Sequence, residues 1–139
     1  MRTNHAVLEQ PTAPSAEEHL RDFILDPEFP CVGAKSAVQK GRMTVYPARD
    51  IRSAWNDVEI QDALMQFAWA YSKDPTLFTS FAVVFEGPDD LSEAEFEKAL
   101  WERVQSLADK DAWRGQKHDP RVSSDPDDPH FSLSFGGEA

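Results

Sequence analysis

A single cysteine, Cys31, stands among the 139 residues, which excludes an intrachain disulfide and any zinc site built on several cysteines. Cations are also scarce. Fourteen Lys and Arg face 25 Asp and Glu, a formal net charge of −11. A chain of that sign repels phosphate backbones and anionic headgroups, so neither nucleic acid nor a membrane is expected as a partner. No apolar run approaches the ~18 residues of a membrane span. Met1-Arg2-Thr3-Asn4-His5 lacks the apolar core of a signal peptide, and the cytoplasm is the simplest compartment. The four histidines, His5, His19, His118 and His130, are too dispersed for metal-ligand spacing, and no HExxH occurs. Gly-x-Ser-x-Gly is missing too, which leaves serine hydrolase chemistry without support.

What is present suits one domain. The chain is 40% hydrophobic and 11% aromatic, enough for a core at this length. Ten prolines and a mean hydropathy of −0.55 imply much polar loop. Residues 1–14 carry Pro11 and Pro14 without periodicity and read as a flexible arm. Ser15 and Glu18 form a capping box ahead of a helix presenting Leu20, Phe23 and Ile24, ended by Pro27 and Pro30. A short helix is expected over Cys31–Lys40, closed by Gly41, and a strand over Met43–Tyr46, stopped by Pro47. The longest helical pattern runs from Ser53 to Lys73, with Trp55, Val58, Leu64, Met65, Phe67, Ala68 and Tyr71 as its apolar surface.

Thr79–Phe85 is nearly all apolar and reads as a strand buried on both faces. Ser92 and Glu95 cap a further helix, to about Lys110, with a stripe of Phe96, Leu100, Val104 and Leu107. Residues 114–129 form a long polar loop, and His130–Phe135 alternates as a last strand before Gly136-Gly137. The resulting fold class is α/β: two leading helices, then strand–helix–strand–helix–strand, as a layered sheet with helices. A Gly-Gly pair after an alternating strand opens a hairpin, so the chain reads as incomplete at its C-terminus. The domain proper is expected to span 15–139.

Several residues are candidates for chemistry. Cys31 begins a helix, where the positive end favours a thiolate, and Lys35 lies one turn on. A nucleophile, a redox thiol, a haem thiolate or a small buried hydrophobe all fit that position. His130 opens the last strand, as a ligand or as a structural histidine. Ser132 and Ser134 share its face by strand alternation, lining a polar cavity or facing water. Asp125, Asp127 and Asp128 lack the glycine and distal glutamate of a calcium loop. Trp55, Trp69, Trp101 and Trp113 fall on or just after helices and read as core anchors.

Phe29-Pro30-Cys31-Val32-Gly33-Ala34-Lys35 followed by Gly41, and the terminal Asp128-Pro129-His130-Phe131-Ser132-Leu133-Ser134-Phe135-Gly136-Gly137-Glu138-Ala139, together resemble the YqcI/YcgG family. In that family the Gly-Gly turn leads into another apolar strand and a Gly-Leu-His-Pro segment, so the chain resembles an N-terminal portion of the family domain. Members in D-cycloserine and guanitoxin biosynthesis are haem-dependent N-oxygenases acting on guanidino substrates. The resemblance implies haem, O2 and an external reductant, and hydroxylation of a nitrogen on a small amine or guanidine. It leaves His130 and Cys31 as candidate haem ligands here, beside the histidine of the Gly-Leu-His-Pro segment. Ser132, Ser134 and Lys35 are then the candidate substrate contacts, and the exposed last strand a route to a dimer. The other reading is a non-catalytic small-molecule-binding or interaction domain, using a pocket between the last strand and the 114–129 loop.

Overall fold

The computed structural model describes residues 15–139, and the expected arm over 1–14 lies outside them. Helix α1, Ala16–Leu25, starts at the expected capping box: the Ser15 hydroxyl accepts the Glu18 N–H at 3.2 Å, and the Glu18 carboxylate accepts the Ser15 N–H at 3.0 Å. Helix α2, Val32–Gln39, is followed by Gly41 at φ +66°, a left-handed position that glycine takes without strain. Strand β1 is Met43–Asp50, helix α3 Asn56–Lys73, strand β2 Ser80–Gly87 and helix α4 Glu93–Trp113. Ser92 and Glu95 repeat the capping box at α4.

β1 and β2 pair in parallel with Met43 opposite Ser80 and Tyr46 opposite Val83, and α3 is the crossover between them. Alternation then divides the side chains between two layers. Tyr46, Ala48, Val83 and Phe85 pack with Ile60 and Leu64 of α3, Leu107 of α4, and Phe135. Met43 and Val45 face the other way, onto Ile24 of α1 and Val38 of α2. The α/β layering expected from the element order is therefore present, with helices on both sides of the sheet. Asn56 fixes the β1–α3 connection. Its amide donates to the Asp50 carbonyl at 2.7 Å and the Ser53 carbonyl at 3.1 Å while accepting the Arg49 N–H at 3.0 Å.

A buried ionic cluster ties α3 to α4. Asp57 is wholly buried, and its carboxylate accepts Arg103 Nη1 at 3.1 Å, Lys110 Nζ at 2.6 Å, and the Ser106 hydroxyl. Arg103 Nε is buried and meets no partner among the described residues.

The structure departs from expectation at four places. β1 runs through Pro47, because a strand with a partner on one side only tolerates a missing N–H that faces away from the ladder. No residue of β2 is fully buried, since a two-stranded sheet leaves each strand an open edge. The tryptophans are not core anchors: Trp55 is 84% exposed, Trp113 81%, Trp69 64% and Trp101 38%. Finally, 130–135 joins no sheet. Phe131 makes an isolated bridge to Ser123, and Phe135 one to Glu138. The Gly136-Gly137 turn does form, with both residues at positive φ (+61° and +84°), and it closes on Glu138.

Candidate functional site

The loop over 114–129 and the terminal block fold back against one face of α4. Trp101, Gln105 and Ala108 recur at i, i+4 and i+7, so they share a helix face and form one wall of a small, partly open cavity of about 80 Å³. Val104 of the same helix, His118, Ser124 and Pro126 from the loop, and Phe131, Ser132, Leu133 and Ser134 from the terminal block complete a mainly apolar lining. The same Trp101, Gln105 and Pro126 border a wider open groove of about 750 Å³, which also meets Glu97, Lys98, Glu102 and Asp127. Three carboxylates stand there against one ammonium, and that ammonium is engaged with Glu102 at 3.1 Å. The groove is therefore a negative surface with an indole wall, leading to a smaller chamber that carries hydroxyls and an imidazole.

Local hydrogen bonds fix this arrangement. The Ser134 hydroxyl, nearly buried, accepts the Asp119 N–H at 2.9 Å. Asp119 holds Arg121 through both carboxylate oxygens, and Arg121 reaches Glu138 at 3.1 Å. The Arg121 guanidinium lowers the Asp119 pKa to about 2. Ser123 donates to the His130 carbonyl at 2.9 Å and accepts from the Ser132 N–H at 3.3 Å, so the loop and the block run alongside each other. The Phe131 ring meets Trp101 edge-on at 5.5 Å between centroids, which seats the indole. Below, the Asp111 carboxylate accepts the Gly136 N–H at 3.1 Å, and burial raises its pKa.

Of the expected site residues, Ser132 and Ser134 line the cavity, and the histidine beside them is His118 rather than His130. The His130 side chain is 86% exposed and rests on Asp128, with Nδ1 at 3.2 Å from the carboxylate. Cys31 is not a buried hydrophobe. It is exposed, and its sulfur caps α2 by accepting the Ala34 N–H at 3.4 Å. Lys35 donates to the Pro27 carbonyl at 3.3 Å. Both belong to the helical layer on the opposite face of the sheet. Sequence reasoning missed His118 and the Trp101/Gln105/Ala108 face; the i, i+4, i+7 spacing was visible but lay beside a more apolar stripe.

Neither His130 nor Cys31 lines any of the cavities described, and His118, which lines the small one, meets only about 80 Å³, against the ~300 Å³ or more usual for a ligand pocket. Among the described residues no group of three or more His, Cys, Asp and Glu is placed to hold a metal ion. Residues 20–139 match the YqcI/YcgG family. Among curated proteins and solved structures, none matches the chain.

Proposed function

This chain belongs to the YqcI/YcgG family, and from that premise we propose that it binds a small amine or guanidine in the groove on α4. The observation that carries the proposal is the groove's composition: Glu97, Glu102 and Asp127 beside Trp101, which the groove shares with the chamber lined by Ser132, Ser134 and His118. Carboxylates and an indole attract a cation together, the first by charge and the second through its ring quadrupole. The hydroxyls and imidazole deeper in offer hydrogen bonds to an uncharged end. Cys31 and His130 take no part.

Calorimetric titration with L-arginine tests this, with citrulline, whose ureido side chain is uncharged, as the control. Arginine is expected to saturate and citrulline to bind far more weakly. Trp101→Ala is expected to weaken arginine by about three- to thirtyfold, and Glu97→Gln with Glu102→Gln to weaken it and flatten its salt dependence. Equal binding of arginine and citrulline, or no saturation at all, would refute the proposal.

Family membership favours a second reading, oxygenation of the bound nitrogen with haem, O2 and an external reductant. No described residue is assigned a step in it. Titration with hemin is its test: a Soret shift that survives Cys31→Ala and His130→Ala supports haem binding through other groups, and a spectrum identical to free hemin counts against it.

A further inference from the structure

Leu133 stands in the wall of two chambers. On one side is the 80 Å³ cavity that carries Ser132 and Ser134. On the other lies a second cavity of about 270 Å³, between α3 and the terminal block, walled by Leu64, Phe67, Tyr71 and Phe135. Leu133 alone is common to both linings. Its neighbours are pinned: Phe131 on Trp101, Ser134 on the Asp119 N–H, and Phe135 in the core at 3% exposure. The backbone on each side is thus held, and the half-buried Leu133 side chain is the lining residue the two chambers share.

We propose that Leu133 is a partition that sets the length of ligand the α4 site accepts. The inference rests on the ligand-binding reading above. Both chambers are lined mainly by apolar surface, and the first adjoins the acidic groove. A ligand with a cationic head at the groove and a short body ends against Leu133. One with a longer alkyl body must displace that side chain to enter the second chamber. Because the leucine sits between fixed backbone segments, it yields little, and the cutoff is steric.

The test is a calorimetric series of n-alkylguanidinium ions, from methyl to octyl, on the full chain. With the native residue, affinity is expected to rise over the first carbons and then level off. With Leu133→Ala it is expected to keep rising past that point, by up to about fourfold for each further methylene buried, while methylguanidinium binds as before. Leu133→Phe is expected to move the cutoff to shorter chains. Leu133→Val, a milder change, gives an intermediate cutoff and covers the case in which the alanine variant does not fold. The same chain-length profile in all folded variants, with methylguanidinium still bound, would overturn the partition alone. Failure of every member to bind the native chain overturns the α4 site, and the partition with it.

Discussion

Replacing Asp57 by alanine would remove the carboxylate that Arg103 and Lys110 share. Asp57 is fully buried, and Arg103, whose side chain is 10% exposed, makes its two hydrogen bonds to that carboxylate. Lys110 is 30% exposed and can turn to water; Arg103, with Nε already lacking a partner, cannot. Breaking a buried pair on one side costs about 3–5 kcal/mol, a large share of the roughly 5–15 kcal/mol that holds a domain together. With a urea dependence of about 2 kcal/mol per M, the unfolding midpoint is expected to fall by roughly 2 M. Urea titration followed by far-UV circular dichroism measures this. A joint Asp57→Leu and Arg103→Met replacement removes both charges and is expected to recover most of the loss, because well-packed apolar substitutes for a buried pair are often neutral or stabilising. A single variant losing less than about 1 kcal/mol, or a double variant as unstable as the single one, would refute the argument.

Three further outcomes follow from the terminal block. Gly136→Ala places a Cβ 3.2 Å from Met65 Sδ and 3.4 Å from the Ala68 Cβ at φ +61°, and thermal unfolding should show a loss of about 1–3 kcal/mol; an unchanged midpoint would mean the turn is not held as described. Ser134→Ala leaves the Asp119 N–H without its acceptor, with an expected loss of about 1–3 kcal/mol by urea titration, which Ser134→Thr should largely restore. The third concerns pH. Asp119 is held at a pKa of about 2 by Arg121, so its contribution is present above the usual carboxylate range and is lost as pH falls toward 2. Asp111, raised by burial, acts with the opposite sign, costing stability when ionised and relieved in acid. Arg121→Met should therefore flatten the acid-side fall in stability, and Asp111→Asn should steepen it; curves parallel to the native one below pH 4 would contradict this assignment.

Local features were the most legible. Both capping boxes and the Gly41 closure lie within a few residues of the groups they satisfy, so composition and spacing reveal them directly. The order of helices and strands followed from periodicity in the same way. What escaped depends on distant partners. Arg103 pairs with Asp57 across 46 positions, and nothing local distinguishes Asp57 from the chain's many solvated acids. His130 looked the better histidine because it adjoins the serines in sequence, yet the fold turns it outward on Asp128 and brings His118 in from the loop. The alternation of 131–135 was real in composition, but it did not make a sheet strand: Ser134 is as buried as its apolar neighbour Phe135, held there by a backbone N–H. The exposed tryptophans were illegible for a related reason. Helical position shows which residues share a face, while what covers that face is settled elsewhere.

The parallel register has a kinetic consequence. Met43 lies against Ser80, thirty-seven positions along the chain, so no rung of the sheet exists until the intervening chain has been gathered. α3 does the gathering: its 18 residues span about 27 Å as a helix, close to the roughly 26 Å of an eight-residue strand. Once it forms, only the connections over 51–55 and 74–79 remain to be closed, and the entropy of closure falls accordingly. Val58 and Trp69 of α3 are exposed, and substitutions there are expected to change the rate of sheet assembly through helix propensity.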